Sequence, residues 1–329
     1  MNAIQILSYG GPELLAYSRL IKPTPGQNEV LVQNAYSGIN FIDIYMRKGV
    51  YAKNRAYATA LPLTLGMEAS GIIKEIGEDV LDYSIGDRVA YAAVPLGAYA
   101  THRIFKSNNL IKVPKEVDLS LAAAIMTKGL TTFYLLHKTY PVSGNETILF
   151  HAAAGGVGQV FCQWAKSLGC KVIGTVGSDE KINTAKNNGC YEVINYKKEN
   201  FGKKVMEITN GSGVPVVYDG VGKSTFEGSL ECLKTRGVMV SFGNASGALD
   251  PINVPKMLQP KGLFFVRPSM GQYLSTNEEK NEASNTLFEK ITSGKVKIDI
   301  FKKYKLDDVK QAHIDLENRK ILGPAIITP

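Results

Sequence analysis

A glycine-rich turn between an apolar strand and a helix is the segment of this chain whose residue types best suit chemistry. Residues 152–158 read Ala-Ala-Ala-Gly-Gly-Val-Gly, after the apolar stretch 147–151 and before a pattern typical of a helix. Glycines let a backbone approach a phosphate closely, and the free N–H groups of a helix N-terminus point toward it. The frame Ala153-x-Gly155-x-x-Gly158 has alanine where the dinucleotide fingerprint has its first glycine. An ordinary strand-to-helix turn therefore stays a second interpretation.

The residues after the next strand indicate which dinucleotide would bind. NAD-preferring sites carry an acidic residue at the tip of this strand, where it accepts hydrogen bonds from the ribose hydroxyls. Here the tip is Gly177-Ser178, and Lys181 follows within one helical turn. A lysine attracts a 2′-phosphate, and a charge-assisted hydrogen bond of about 1.5–3 kcal/mol is enough to set a preference. We therefore expect NADPH as the cofactor. The alternatives are a solvated Lys181 and a contact of Asp179 with the ribose.

The elements that would position this turn alternate between strand and helix patterns from 147 to 269. The predicted strands cover 147–153, 171–176, 192–196, 214–221, 236–243 and 263–267. The predicted helices cover 156–168, 179–188, 200–209 and 224–234. This alternation predicts an α/β fold with a doubly wound parallel sheet, whose ligands bind along the carboxyl ends of the strands.

The remaining segments predict a second, β-rich domain. Residues 1 to about 120 read as short strands between glycine and proline turns, as at 29–35, 71–76 and 87–91. An apolar helical pattern over 120–138 leads out of this region. The tail has helix patterns at 278–293 and 306–318 and strand patterns at 296–304 and 323–328. We expect a catalytic domain at 1–122, a nucleotide domain at 123–269 and a return to the first domain at 270–329.

Composition narrows the class of protein. A chain of 329 residues with 44% apolar and 21% charged residues is typical of a two-domain globular protein. The N-terminus has no secretory signal pattern, and no run of about 18 apolar residues predicts a membrane span. The four cysteines, at 162, 170, 190 and 232, form no C-x-x-C pair, which predicts free thiols in a reducing cytoplasm. The net charge of +8 comes from scattered lysines, a distribution that does not favour nucleic-acid binding.

Several further segments belong to one recognisable pattern. They are 38–43 (Gly-Ile-Asn-Phe-Ile-Asp), 66–71 (Gly-Met-Glu-Ala-Ser-Gly), 86–89, 128–132, 152–181, 193–196, 217–222 and 237–247. Together they resemble the medium-chain dehydrogenase/reductase superfamily, and within it the zinc-free quinone oxidoreductases related to zeta-crystallin. The resemblance covers essentially the whole chain. It implies a GroES-like β-rich catalytic domain and a Rossmann domain that binds NADPH.

The same resemblance predicts that no metal takes part. Zinc alcohol dehydrogenases of this superfamily take catalytic ligands from a cysteine, a histidine and a later cysteine or glutamate. The corresponding positions here are Asn40, Met67 and Thr127, and residues 75–120 contain no cysteine for a structural zinc lobe. These side chains do not form a tetrahedral Cys/His site. We therefore expect an electron-poor acceptor, which takes up hydride without the Lewis acid that an alkoxide needs.

The resemblance also implies roles for single residues. Cofactor contacts are expected from Asn40, Phe41, Ile42, Asp43, Thr131, Gly156, Val157, Gly177, Ser178, Lys181, Tyr196, Val221, Phe242, Gly243, Ala245, Pro268, Ser269, Met270 and Arg319. Catalytic roles are expected for Asn40, Tyr45, Tyr51 and Thr131. A phenol there would stack on a flat ring and donate to its carbonyl oxygen as negative charge grows. For Tyr45, Tyr51, Tyr196 and Arg319, packing or solvent exposure is the competing interpretation.

Together these expectations predict an NADPH-dependent quinone reductase that works in the cleft between its two domains, by hydride or one-electron transfer. One alternative is reduction of an enoyl or alkenal double bond with the same cofactor. The other is a nucleotide-binding protein with little turnover that acts as an RNA-binding or structural protein. Because the sixth predicted strand, 263–267, is apolar and expected at a sheet edge, it also predicts a homodimer joined edge to edge.

Overall fold

The computed structural model describes residues 1–53 and 60–329. Contacts divide them into two units. The first unit contains Met1–Lys128, Thr276–Phe288 and Ile298–Pro329, and the second contains Gly129–Ser275 and Glu289–Lys297. The domain borders expected at 122 and 269 lie six residues before the unit borders at 128 and 275. As borders of functional domains they stay a prediction.

The described residues form sixteen strands and ten α-helices. The strands are β1 (Asn2–Ile6), β2 (Ala16–Arg19), β3 (Glu29–Gly38), β4 (Leu63–Thr64), β5 (Glu68–Ile76), β6 (Arg88–Ala92), β7 (His102–Lys106), β8 (Ile111–Lys112), β9 (Thr147–His151), β10 (Lys171–Val176), β11 (Glu192–Asn195), β12 (Val214–Asp219), β13 (Leu233–Ser241), β14 (Phe264–Val266), β15 (Lys302–Lys305) and β16 (Ala325–Thr328). The α-helices are α1 (Phe41–Arg47), α2 (Leu119–Tyr134), α3 (Gly156–Ser167), α4 (Ile182–Asn187), α5 (Phe201–Ile208), α6 (Phe226–Cys232), α7 (Val254–Met257), α8 (Met270–Tyr273), α9 (Asn277–Thr292) and α10 (Val309–Glu317).

The second unit is built on a six-stranded parallel sheet in the order β11-β10-β9-β12-β13-β14. Leu149 packs in a cluster with residues of α5 and α6, whereas the ring of its neighbour Phe150 stacks on Phe161 of α3 at 4.2 Å. Because successive residues of a strand point to opposite faces, helices cover both faces of the sheet. The predicted doubly wound parallel sheet is confirmed.

The first unit is β-rich, as predicted. Its larger sheet has the order β15-β16-β3-β5-β6-β8, with β7 also paired to β3, and a smaller sheet has the order β2-β1-β4. Side chains from β3, β5, β6 and β7 form its core, including Val30, Ala69, Tyr91 and Phe105. The strand β3 is thus the element on which this unit is assembled, and α1 follows it directly.

One predicted strand is wrong over most of its length. The pattern at 296–304 predicts nine extended residues, but the strand β15 contains only Lys302–Lys305. The N–H of Phe301 donates to the carbonyl of Pro324 at 2.8 Å, and the parallel ladder with β16 begins one residue later. Since proline has no N–H to offer a neighbouring strand, the pairing cannot extend farther toward the N-terminus.

The helix α2 continues as a π-helical turn, Leu135–Thr139. The combined segment Leu119–Thr139 is long and apolar enough to cross a membrane by length and composition alone. However, 83% of its most apolar window is buried inside the protein, as expected of a core helix in a globular fold. It is the one segment of the described chain that passes this test.

Candidate nucleotide and acceptor sites

In the second unit, the loop after β9 has the geometry of a phosphate-binding loop. The chain passes Ala152 with a φ of 59° and enters α3 at Gly156 and Val157. A Cβ atom on Gly158 would lie 2.5 Å from the carbonyl oxygen of Ala153, so only glycine lets the helix approach the turn this closely. The first turn of α3 therefore directs free N–H groups to the carboxyl edge of the sheet, which suits a pyrophosphate.

The residues expected at the 2′-phosphate lie where β10 and β11 end. Gly177 and Ser178 follow β10, Lys181 ends the 3-10 turn that precedes α4, and Tyr196 follows β11. The two strands are neighbours, and a Cβ on Gly177 would lie 2.9 Å from the phenol oxygen of Tyr196. Glycine at this position therefore leaves room for the phenol beside the backbone, at the strand tip where NAD-preferring sites carry a carboxylate.

Asp179, the acidic residue that the sequence leaves open for the ribose, is bound by its neighbours instead. One carboxylate oxygen accepts a 2.6 Å hydrogen bond from Nδ2 of Asn195, and the other accepts from Nζ of Lys198. The bond from Lys198, followed by the bond from Asn195, lowers the pKa of this exposed carboxyl. Both carboxylate oxygens of Asp179 therefore already accept a hydrogen bond from a protein donor.

The other nucleotide residues expected in this unit follow the next three strands. They are Val221 after β12, Phe242, Gly243 and Ala245 after β13, and Pro268, Ser269 and Met270 after β14. The N–H of Ala245 donates to the carbonyl of Gly220 at 3.2 Å, and Arg267 donates to the carbonyls of Ser241 and Gly243 at 2.9 and 3.1 Å. These bonds tie the three loops together along the carboxyl edge of one sheet.

Beneath these loops lies a buried polar network centred on Asp219, a residue to which sequence reasoning gave no role. The carboxylate of Asp219, at the end of β12, accepts from Thr225 at 2.7 Å and from Ser229 at 3.3 Å. Nε2 of His151 lies 2.9 Å from the hydroxyl of Ser229, and burial lowers the pKa of this histidine. The other carboxylate oxygen of Asp219 accepts from the backbone N–H of Val221 at 2.7 Å, so the network holds the loop after β12. The sequence signal that could have indicated this network is a single acidic residue at the end of an apolar strand, followed by a glycine.

In the first unit, α1 and the turn after it carry most of the residues expected at the nicotinamide and the acceptor. Asn40 stands at the N-cap, and the helix continues through Phe41, Ile42, Asp43 and Tyr45. The rings of Phe41 and Tyr45 are 6.1 Å apart, and the ring of Tyr51 meets that of Tyr45 edge-on at 6.0 Å. The structure thus brings three aromatic rings together in one row.

Asp43 is wholly buried and ends a chain of polar side chains. Its Oδ2 accepts from the N–H of Asn40 at 2.9 Å and from the hydroxyl of Tyr99 at 3.0 Å, while Oδ1 has no partner among the described residues. Behind Tyr99, Nε2 of His313 lies 3.4 Å from the phenol and Nδ1 lies 3.1 Å from Arg47. Since arginine only donates, His313 accepts at Nδ1 and donates from Nε2. Burial raises the pKa of Asp43 to about 7 and, with Arg47 contributing, lowers that of His313 to about 3.

The positions that the sequence analysis compared with zinc ligands make contacts of a different kind. Met67 is buried, and the backbone N–H of Thr127 donates to Glu68. The side chain that reaches Asn40 belongs to Lys128, whose Nζ lies 2.8 Å from Oδ1 of Asn40 and 3.0 Å from Glu68. Sequence reasoning assigned a role to neither Glu68 nor Lys128, although both lie in segments that carry the resemblance. In residues 1–53 and 60–329 no three His, Cys, Asp or Glu side chains are grouped to hold a metal, and the absence of zinc stays a prediction.

Two expected residues stand outside these groups. Thr131 is buried in the part of α2 that belongs to the second unit. Arg319 is exposed and follows α10 in the first unit, with a φ of 60°. Their roles at the cofactor stay predictions.

Known proteins similar to this chain cover its whole length. Residues 26–115 match the family described as alcohol dehydrogenase GroES-like domain, and residues 156–288 match zinc-binding dehydrogenase. Quinone oxidoreductase 1 of Escherichia coli is 46% identical over 329 residues, with 99% of both chains covered. The 2-haloacrylate reductase of a Burkholderia species is 39% identical, with 97% of this chain and 96% of that protein covered. The crystal structure of Escherichia coli quinone oxidoreductase complexed with NADPH matches with a TM-score of 0.96 at 44% identity, over all of both chains. The predicted architecture, GroES-like plus Rossmann, is confirmed.

Proposed function

This chain belongs to the quinone oxidoreductases of the medium-chain dehydrogenase/reductase superfamily, and we propose that it uses NADPH to reduce a quinone. The family, enzyme class and cofactor expected from the sequence are confirmed by this membership. The observation that best supports this function is the phosphate-binding loop after β9, where Gly158 lets α3 pack closely against the turn. Bound NADPH supplies the reducing equivalents, and the protein holds it and orients the acceptor.

Replacing Lys181 with alanine tests the 2′-phosphate site. We expect the wild type to bind NADPH more tightly than NADH. Loss of one charge-assisted bond should weaken NADPH binding by about 10- to 100-fold and leave NADH binding nearly unchanged. Fluorescence titration of both nucleotides measures this. Lys186→Ala, an exposed lysine of α4, is the matched control. Equal binding of both nucleotides by the wild type, unchanged in the variant, contradicts the 2′-phosphate assignment.

For the acceptor, the proposal assigns catalytic roles to Asn40, Tyr45, Tyr51 and Thr131. The row of rings formed by Phe41, Tyr45 and Tyr51 supports these roles, because a quinone is flat and stacks on aromatic faces. Reduction places negative charge on a carbonyl oxygen, and amide or phenol hydrogens directed at that oxygen lower the energy of the charged state.

Reduction of an activated double bond is the second candidate, because a 2-haloacrylate reductase is among the similar proteins. Parallel measurements of NADPH oxidation with 1,4-benzoquinone, 9,10-phenanthrenequinone and crotonyl-CoA separate the two. We expect the higher kcat/KM with the quinones. Salt-sensitive RNA binding that NADPH displaces, without turnover on any acceptor, would instead support the RNA-binding interpretation.

A homodimer joined through β14 is a further part of the proposal. β14 ends its sheet, and the side chain of Phe264 on it is 61% exposed. An apolar edge strand is a natural partner for its own copy. We expect sedimentation at micromolar concentration to give a dimer and Phe264→Glu to give a folded monomer. A monomeric wild type contradicts this.

We also assign the protein to the cytoplasm, where its four buried cysteines stay reduced.

A further inference from the structure

The first unit contains a buried ionic cluster around Asn40. Nζ of Lys128 donates to Oδ1 of Asn40 at 2.8 Å and to Oε1 of Glu68 at 3.0 Å. Nδ2 of Asn40 donates to the same Glu68 oxygen at 2.6 Å, and the backbone N–H of Thr127 donates to its other oxygen. Every bond therefore runs between groups whose donor and acceptor roles are fixed by their chemistry.

The burial of this cluster is costly. The side chains of Glu68 and Lys128 are 0% and 5% exposed. Transferring such a pair from water to the protein interior usually costs more free energy than the attraction between the two charges regains. The chain also reserves space for the carboxylate, because a Cβ on Gly38 would lie 2.0 Å from Oε1 of Glu68. An ion pair kept at this cost calls for an explanation other than stability.

The pair fixes which way the Asn40 carboxamide faces. Rotating the amide by half a turn would place its oxygen against the carboxylate of Glu68 and its NH2 group against the ammonium of Lys128. Both contacts would be repulsive, whereas an amide without such neighbours has two similar orientations. In addition, the ammonium polarises the amide oxygen, which strengthens the donor hydrogens on Nδ2.

We propose that Lys128 and Glu68 are positioning residues that orient the Asn40 carboxamide, so that its second Nδ2 hydrogen is directed at the carbonyl oxygen of the acceptor. Glu68 takes one amide hydrogen, and one remains for this second bond. Asn40 is the most exposed of the three residues, at 8%. The inference rests on the proposed quinone reduction and adds the residues that act through Asn40.

A double-mutant cycle tests the inference. Asn40→Ala should lower kcat with 1,4-benzoquinone by about 100-fold, as for removal of one directed donor. Lys128→Met with Glu68→Gln removes both charges at similar size and should lower kcat by about 10- to 100-fold, with KM and the Kd for NADPH within threefold. In an Asn40→Ala background, the same pair of changes should lower kcat by less than threefold, since the group it orients is gone. Lys302→Met, at an ion pair elsewhere in the first unit, is the matched control and should retain kcat.

Equal losses of kcat in both backgrounds would overturn the inference, as would an unchanged kcat in the folded charge-free variant. A second readout does not depend on turnover. In protein labelled with 15N-asparagine, the two side-chain hydrogens of Asn40, identified by their loss in Asn40→Ala, should be widely separated and should converge when the pair is removed. Absence of quinone turnover by the wild type rejects the proposed function. Unchanged amide signals without the pair reject the orientation itself.

Discussion

Replacing Gly158 with alanine is expected to weaken NADPH binding by about 100-fold or more and to lower the free energy of unfolding by about 1–3 kcal/mol. The added Cβ would lie 2.5 and 2.6 Å from the carbonyl oxygens of Ala153 and Ala152. These are backbone atoms, so the helix α3 must shift and carry its N-terminal N–H groups away from the pyrophosphate. NADPH titration and urea denaturation of the unliganded protein measure the two effects.

Gly144→Ala supplies the control for this prediction. This glycine precedes β9 in the same unit, and a Cβ there would come no closer than 3.4 Å to another atom, the carbonyl oxygen of Leu168. Affinity for NADPH should stay within threefold of wild type. If Gly158→Ala also bound NADPH with unchanged affinity, the turn after β9 would not be the phosphate-binding loop.

Asp43→Asn is expected to change how stability depends on pH. Burial raises the pKa of Asp43 from 3.8 to about 7 in the folded protein. The folded state therefore binds this proton more tightly than the unfolded chain does, and the stabilisation is complete below pH 3.8. It is lost as the pH rises through 7, by an amount on the order of 4 kcal/mol. Asparagine does not titrate, and its oxygen keeps the bonds from Asn40 and Tyr99.

The measurement is the difference in free energy of unfolding between wild type and Asp43→Asn from pH 4 to pH 8. We expect the stability of the variant relative to the wild type to rise from pH 4 to about pH 7 and to level off above that, where the carboxyl is ionised in both states. Asp82→Asn, which removes an exposed carboxylate, is the comparison for the loss of a charge as such. A flat difference for Asp43→Asn would show that the Asp43 carboxyl is ionised throughout the range.

The second unit was the more predictable part of the fold. Its strands are apolar and β-branched and are separated by amphipathic helices, so local pattern and global fold agree. The observed β10 has the predicted limits of 171–176. Because parallel strands end at one edge, the loops at 177, 196 and 221 could be grouped from order alone. In the first unit, strand pairing joins residues far apart in sequence, and the short β15 depended on where Pro324 interrupts its partner.

Contacts between side chains that are far apart in the sequence could not be predicted from the sequence. Lys128 lies in an apolar helical stretch, where a lone lysine is typical of a solvated position. Its four-carbon side chain instead carries the ammonium to Asn40, 88 residues away in sequence. Asp43 likewise accepts from Tyr99, whose phenol lies against His313, through contacts that no local pattern records.

The first unit takes β15 and β16 from the last stretch of the chain, and β16 lies between β15 and β3 in its sheet. β16 pairs only with the C-terminal end of β3, at Ser37 and Gly38, whereas β7 pairs with residues 29–33 of the same strand. On the ribosome, this end of β3 emerges well before its partner, and at roughly 5–20 residues per second the interval lasts on the order of tens of seconds. The nascent protein therefore leaves the last residues of β3 unpaired on that side through most of its synthesis. Translation products that stop before β16 would keep this short edge open permanently.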